Sequence, residues 1–353
     1  MAELPDVTPA YAPQPPGVAW PTNQWPLGER SVALDAVVNE LFDAPGLGPT
    51  NAVVVVRGGR IHAERYGGVR EFFDRPAEPI TAASPLLSWS MAKSMLHAVV
   101  GVLASEGRLD PDARAPVPEW ADERDPRHAI RLADLLAMRD GLAFTEAYVI
   151  GEPSHVIEML FGEGQRDMAA FSAAKPLAHA PGDIFNYSSG TSNVISRVVA
   201  DEVGYGAAYD AFLHQRLFDR IGMSSATATF DDAGVWVASS YVHATALDFA
   251  RFGLLYLRGG EWDGDRVLPR EWVDTAQRPR SRDEANGALY SWHWWVTGDE
   301  YGTYWASGYE GQQLNVVPAL DAVIVRLGHT PEELTPEIEA WRDRVIDVLA
   351  QAP

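Results

Sequence analysis

Ser90 and Lys93 are the residues whose types and spacing most directly indicate chemistry in this chain. The S-x-x-K spacing places both side chains on one face of a predicted helix, close enough for an amine to take the serine proton. Lys93 is one of two lysines, the other being Lys175, against 26 arginines. Lysine, unlike arginine, can lose its proton when it is desolvated and then act as a base. The pair therefore indicates a serine nucleophile with a lysine base, and the alternative is a chance occurrence of S-x-x-K in an ordinary helix.

A second candidate is Tyr187, in the segment 185–190 that follows Pro181-Gly182-Asp183. The segment predicts a turn that presents the tyrosine just before a helix, among small polar residues. A tyrosine near an ammonium group can have a lowered pKa and can serve as a general base or acid. The alternative is a core tyrosine whose hydroxyl caps a turn.

The third segment, 305–312, lies at the end of a predicted strand and contains Ala306-Ser307-Gly308-Tyr309. Small residues there allow the backbone to approach a substrate closely, and an outward-facing N–H would help to form an oxyanion hole. The alternative is a β-bulge or a glycine at a sheet edge.

In this order and at these separations, the three segments resemble the penicillin-recognising serine hydrolases, which include class C β-lactamases, D-Ala peptidases, and related esterases and amidases. The resemblance covers roughly residues 52–327. The context of Ser90 and the pattern Gly308-x-x-Gly311-Gln312 look most similar to the 6-aminohexanoate-dimer hydrolases and the family VIII-type carboxylesterases.

The resemblance implies roles for individual residues. Ser90 would be the nucleophile, and Lys93 and Tyr187 the proton-transfer pair. The backbone N–H groups of Ser90 and Tyr309 would form the oxyanion hole. Substrate binding would involve Gly308 and Tyr309, with Tyr148 and Trp295 closing over the substrate.

Two departures from the β-lactamase pattern bear on the substrate. Ser189 stands where an asparagine would contact a β-lactam amide, and Ala306-Ser307-Gly308 replaces the K-T-G triplet. The second change removes the cation that would receive a β-lactam carboxylate. It also leaves Lys93 without a second cation that would lower its pKa. Burial would therefore have to be the main cause of a lowered pKa.

Composition excludes several other classes of function. The formal net charge of −21 argues against a nucleic-acid partner, which needs a basic surface. The chain has no cysteine, and its nine histidines show no metal-ligand spacing, so we predict neither a metal site nor a cofactor. No apolar run is long enough for a membrane span, and no secretion signal is evident at residues 1–30. We therefore expect a cytoplasmic localisation. A homodimer is the working expectation for the oligomeric state.

Strands and helices that would position these segments can be read from the periodicity of apolar residues. The predicted strands are 51–57, 60–66, 290–296, 301–307, 314–317 and 322–327, and the predicted helices are 34–41, 90–105, 188–203, 209–218, 244–257 and 336–350. Helix 90–105 is apolar on nearly every face and should be central and buried. The residues Trp292, Trp294 and Trp295 alternate along a predicted strand, mostly in the core.

This pattern predicts an α/β (α+β) protein of the β-lactamase/transpeptidase-like fold. Its antiparallel sheet would be built from both ends of the chain and flanked by helices, with an all-helical insertion. The predicted parts are an extended Pro-rich arm (1–30), a discontinuous sheet domain (31–110 and 223–353) and a mostly helical domain (111–222).

The predicted function is hydrolysis of a carboxylic ester or linear amide bond in a small-molecule substrate, through an acyl-enzyme on Ser90. The alternatives are a class C-type β-lactamase or D-Ala peptidase, and a non-catalytic binding protein of the same fold.

Overall fold

The computed structural model describes residues 4–43, 45–71, 76–148 and 154–352. In chain order its helices are α1 (Val32–Asp43), α2 (Ala92–Ser105), α3 (Leu132–Leu136), α4 (His155–Phe161), α5 (Met168–Ala173), α6 (Ser189–Val203), α7 (Ala207–Leu213), α8 (Ala246–Leu257), α9 (Arg270–Gln277) and α10 (Thr335–Gln351). Its strands are β1 (Thr50–Arg57), β2 (Arg60–Tyr66), β3 (Val69–Arg70), β4 (Glu78–Pro79), β5 (Leu86–Leu87), β6 (Thr227–Ala228), β7 (Val242–Ala244), β8 (Glu261–Trp262), β9 (Asp265–Arg266), β10 (Ser281–Arg282), β11 (Leu289–Tyr290), β12 (Trp295–Val296), β13 (Tyr304–Gly308), β14 (Gln312–Val317) and β15 (Ala322–Gly328).

One antiparallel sheet of eight strands organises the fold, in the order β10-β11-β12-β13-β14-β15-β1-β2. Strand β1 pairs with β15 on one side and with its hairpin partner β2, the edge strand, on the other, so strands from the two ends of the chain lie side by side in one sheet. The prediction of a sheet built from both ends of the chain is therefore confirmed, as are the strands at 51–57 and 60–66.

Strand β1 is a run of valines because both faces of the sheet are covered. Val54 and Val56 face the large core that includes α2, α6 and α8. Val53 and Val55 face a smaller core formed with α1 and α10. Alternate side chains of a strand point to opposite faces, so a strand that is buried on both sides needs apolar residues at every position.

Helix α2 is central and buried, as predicted. All twelve residues from Ala92 to Leu103 are buried. Gly101 allows the close approach of Trp272, since a Cβ at this position would lie 2.3 Å from the indole ring. The helix that begins just after Ser90 is thus fixed by packing along most of its length.

The N-terminal segment 4–30 contains no helix and runs along α8 and α9. It is held by hydrogen bonds from Ala10 N to Gln277 Oε1 (2.9 Å) and from Ala12 N to Leu257 O (3.2 Å). The extended arm predicted here differs in one respect from the structure: Ala12 and Trp25 are buried in the large core. The predicted domain boundaries after residues 30, 110 and 222 stay a prediction.

The single strand predicted at 290–296 is wrong. The segment forms two short strands, β11 and β12, joined by a tight turn in which Ser291 N donates to Trp294 O at 2.8 Å. The turn requires a left-handed backbone at His293, with φ of 57°. Trp292 and Trp294 are in the core, and Trp295 emerges half-buried on the next strand.

Across the described ranges, no helix combines the length and the apolar character that crossing a membrane requires.

Candidate active site

Ser90 lies on the single helical turn Trp89–Met91 that leads directly into α2. Trp89 adopts a left-handed backbone, with φ of 44°, which is uncommon for a residue with a Cβ. Conformations of this kind cluster at functional sites, where the surrounding structure holds them in place. Ser90 is half-buried, whereas Lys93 on the first turn of α2 is only 2% exposed.

The ammonium group of Lys93 is held by three oxygen acceptors. Nζ lies 2.9 Å from Ser90 Oγ, 3.0 Å from Ser189 Oγ on α6 and 2.9 Å from the carbonyl oxygen of Ser239. Among the described residues, no carboxylate bonds Lys93 directly. Burial lowers the pKa of Lys93 from 10.5 to about 8, and the charge of Glu146 partly opposes this effect. Burial is thus the main cause of the lowered pKa, as the sequence predicted.

Tyr187 lies beside the same pair. Lys93 Nζ lies 4.9 Å from the centre of its ring, and the Ser90 side chain is near enough to its hydroxyl to influence the pKa of Tyr187. The structure therefore brings Ser90, Lys93 and Tyr187 together.

The pKa of Tyr187 moves in the opposite direction from the one expected. Burial raises the pKa of the phenol above its ordinary value, and the nearby charge of Glu146 raises it further. The pKa lowering expected from an adjacent ammonium does not occur, because desolvation of the phenolate dominates at this half-buried position. Tyr187 is accordingly a neutral hydroxyl in this site.

The end of β13 packs against the segment that precedes Ser90. A Cβ added at Gly308 would lie 2.4 Å from the carbonyl oxygen of Ser88, so only glycine allows this approach. Tyr309 follows at once, and its ring meets that of Trp89 edge-on at 5.6 Å between centroids. The close contact brings the backbone of Tyr309 near the turn that carries Ser90.

Two groups of aromatic rings adjoin the Ser90–Lys93 pair. In the first, Tyr148 stacks on Tyr309 at 4.9 Å between centroids. In the second, Trp295 stacks on Tyr187 at 5.7 Å, and Trp305 continues the stack at 6.2 Å from Trp295. The four residues that the resemblance implied for substrate binding (Tyr148, Trp295, Gly308 and Tyr309) therefore all belong to this region.

Glu146 is a residue of this region that sequence reasoning missed. Its carboxylate accepts a hydrogen bond from Ser189 Oγ at 2.6 Å, another from the Ser189 backbone N–H, and a third from Tyr148 Oη at 2.8 Å. It lies in an irregular segment, and 43 residues separate it from Ser189. No spacing rule links residues so far apart in the sequence, so the pattern held no signal for it.

His293 is a buried residue that hydrogen-bonds to three helices around the site. Its Nδ1 lies 2.9 Å from the Leu136 carbonyl oxygen and its Nε2 lies 3.0 Å from Ser192 Oγ, while its own carbonyl accepts from Ser94 Oγ at 2.7 Å. Because a carbonyl can only accept, Nδ1 carries the proton and Nε2 accepts from Ser192. Burial lowers the pKa of His293 to about 3, so the ring is neutral. His293 thus connects α2, through its backbone carbonyl, to α3 and α6, through its ring.

Within the four described ranges, no group of three or more His, Asp or Glu side chains is arranged to hold a metal ion. The side chains next to Ser90 carry hydroxyl and amine groups, and Glu146 adds a carboxylate.

Comparison with known proteins places this geometry in a family. A sequence profile of the β-lactamase family matches residues 34–348. The 6-aminohexanoate-dimer hydrolase of Paenarthrobacter ureafaciens is 30% identical over 338 residues, which span 89% of this chain and 81% of that protein.

Solved structures share the fold. A protein assigned as a 6-aminohexanoate-dimer hydrolase from Bacillus anthracis superposes with a TM-score of 0.74 at 22% identity, over 97% of this chain and 90% of that one. A family VIII carboxylesterase superposes with a TM-score of 0.66 at 16% identity, over 90% of this chain and 99% of the other.

The chain belongs to the β-lactamase family and has the β-lactamase/transpeptidase-like fold. Its relatives include a hydrolase, the 6-aminohexanoate-dimer hydrolase named above.

Proposed function

We propose that this protein cleaves carboxylic ester or linear amide bonds of small substrates through an acyl-enzyme on Ser90. The observation that carries the proposal is the 2.9 Å contact between Lys93 Nζ and Ser90 Oγ, made by a buried lysine whose pKa is lowered to about 8. At pH 7 about one molecule in ten then has a neutral amine ready to accept a proton.

In the first step, neutral Lys93 takes the proton of Ser90 while Oγ attacks the substrate carbonyl carbon. The carbonyl oxygen becomes an oxyanion, which the backbone N–H groups of Ser90 and Tyr309 would bind. The proton on Lys93 passes to the leaving alcohol or amine, with the neutral hydroxyl of Tyr187 as its partner in the transfer. Water then attacks the acyl group, again with Lys93 as base, and Ser90 regains its proton.

The charge distribution favours substrates without a carboxylate beside the scissile bond. The strand that would offer a cation in a β-lactamase reads Ala306-Ser307-Gly308 here. The charged groups next to the pair and to Tyr309 include Glu146 and Glu310. Stacked rings such as Tyr187 and Trp295 suit an apolar chain or ring.

The test is labelling of Ser90 by a fluorophosphonate probe, followed by a side-by-side rate screen of p-nitrophenyl esters, linear amides that include aminohexanoate oligomers, and nitrocefin. We expect labelling at Ser90, turnover of esters or linear amides, and little hydrolysis of nitrocefin. Ser90→Ala should abolish both labelling and turnover while its circular dichroism spectrum stays that of the parent.

Each alternative gives a different result in this screen. Rapid nitrocefin hydrolysis would favour a β-lactamase. Absence of labelling and of turnover on every substrate would favour a non-catalytic binding protein, and normal turnover by Ser90→Ala would refute the nucleophile.

A further inference from the structure

Glu146 is connected to Lys93 through a single side chain. Lys93 Nζ donates to Ser189 Oγ at 3.0 Å, and Ser189 Oγ in turn donates to Glu146 Oε1 at 2.6 Å. The second oxygen of Glu146 accepts from the Ser189 backbone N–H. The hydroxyl and the backbone N–H of Ser189 therefore both donate to the carboxylate of Glu146.

This arrangement fixes the direction of every hydrogen around Lys93. Because Ser189 gives its hydroxyl proton to Glu146, the Ser189 oxygen can only accept from Lys93. The carbonyl oxygen of Ser239, 2.9 Å from Nζ, can also only accept. A neutral amine has two N–H donors and one lone pair. Its two donors are taken by Ser189 and Ser239, so the lone pair is left facing Ser90 Oγ, 2.9 Å away.

We propose that Glu146 is a positioning residue, which acts through Ser189 to aim the lone pair of neutral Lys93 at Ser90. The inference rests on the proposed function, since it concerns the base of that reaction. A neutral amide in place of the carboxylate cannot accept at both atoms. It would let the Ser189 hydroxyl turn and donate to the lone pair of Lys93, which would withdraw that lone pair from Ser90.

The charge of Glu146 acts on Lys93 as well, and this gives a second readout. Among the described residues, the titratable groups that face Lys93 include Glu146, Tyr187 and His293. Burial keeps Tyr187 protonated by raising its pKa, and keeps His293 neutral by lowering its pKa to about 3. Tyr148, which donates to Glu146, also has a pKa raised by burial. Of these groups, Glu146 is the one whose charge raises the pKa of Lys93.

Tyr148 gives the carboxylate a second attachment, to the aromatic group around Tyr309. Its hydroxyl donates to the oxygen of Glu146 that also receives the Ser189 hydroxyl, and its ring stacks on Tyr309. The carboxylate is therefore held by donors from two sides, and both of its oxygens accept hydrogen bonds, as the alignment of Lys93 requires.

The experiment measures the pH dependence of kcat and kcat/KM for ester hydrolysis in the parent, Glu146→Gln, Ser189→Ala and the double variant. The matched control is Glu119→Gln, which removes a carboxylate that bonds Arg197 on the same helix α6. For Glu146→Gln we expect kcat to fall about tenfold or more, because the base is misaligned. We also expect the acidic limb of the pH profile to move to lower pH, because the charge that stabilises protonated Lys93 is gone.

The control variant Glu119→Gln should have the same kcat as the parent, and the acidic limb of its pH profile should lie at the same pH.

The double variant tests the route through Ser189. If Glu146 acts through that hydroxyl, the double variant should lose less activity than the two single variants added together. A loss in the double variant equal to that sum would show that Glu146 does not act through Ser189. If the acidic limb of the pH profile of Glu146→Gln lies at the same pH as in the parent, the inference is overturned, whatever the value of kcat. These outcomes need an active parent that is labelled at Ser90, whereas an inactive and unlabelled parent would refute the proposed function itself.

Discussion

Gly308 lies so close to Ser88 that a Cβ on Gly308 would stand 2.4 Å from the Ser88 carbonyl oxygen. This contact joins the end of β13 to the segment that leads into the Ser90 turn. The two backbones that would form the oxyanion hole are therefore positioned by each other, at a separation that only a residue without a side chain permits.

Replacing Gly308 by alanine should force β13 away from this segment. We expect kcat/KM to fall about a hundredfold, as is common when reacting groups move by about 1 Å. Unfolding in urea should show a loss of about 1–3 kcal/mol from the overpacking. Gly46→Ala is the control, because a Cβ there meets no atom within 4 Å. Parent-like activity in Gly308→Ala would contradict the proposed oxyanion hole.

Lys93→Arg tests the requirement for a neutral amine. The guanidinium keeps the positive charge but does not lose its proton near neutral pH, so we expect kcat to fall about 10³-fold in ester hydrolysis. Lys175→Arg changes the second lysine, whose ammonium lies 3.8 Å from the centre of the Phe171 ring, and should keep parent activity. Equal activity in the two variants would exclude Lys93 as the base.

The pH profile of the parent should report the lowered pKa of Lys93. The amine must be neutral to act, and burial lowers its pKa to about 8, so kcat/KM should rise with pH and level off above about 8. The measurement is ester hydrolysis from pH 5 to 10, corrected for spontaneous hydrolysis. An acidic limb centred near pH 4 would instead indicate a carboxylate base.

His293 should make the stability of the protein sensitive to acid. Its pKa is about 3 in the folded state and about 6.5 in an unfolded chain, so between these values the unfolded state binds more protons. The contribution of the neutral ring is complete above about pH 6.5 and is lost as pH falls toward 3. His293→Gln can still donate to Leu136 and accept from Ser192 but does not titrate. Urea unfolding should therefore show the parent losing stability relative to this variant between pH 7 and 4, and a constant difference would refute the assignment.

The sequence predicted which candidate residues lie together where those residues are close along the chain or belong to an ordered set of motifs. The i, i+3 spacing of Ser90 and Lys93 predicted that their side chains are in contact. The valine run predicted that β1 is a buried strand. Tyr187 was found by the order of the motifs, but its raised pKa depends on packing from several elements. Glu146 was missed because its partner Ser189 is remote in the chain.

Other features depended on tertiary contacts that no local pattern encodes. The tryptophan-rich segment 290–296 has the composition of one strand, yet it turns at His293. The turn is favoured by hydrogen bonds of this residue to Leu136 on α3 and Ser192 on α6. Local propensity was overridden there by contacts between distant segments.

The pairing of β1 with β15 has a consequence for biosynthesis. Val55 in β1 lies opposite Ile324 in β15, about 270 residues later in the chain. At ribosomal rates of 5–20 residues per second, β1 waits roughly 15 to 55 s for this neighbour. The core on which α2 packs includes residues of both strands, so the turn that carries Ser90 is not fixed by packing until the last strand has left the ribosome. Hydrolytic activity should therefore appear only after translation has passed β15, and nascent chains released before that point should be inert toward esters.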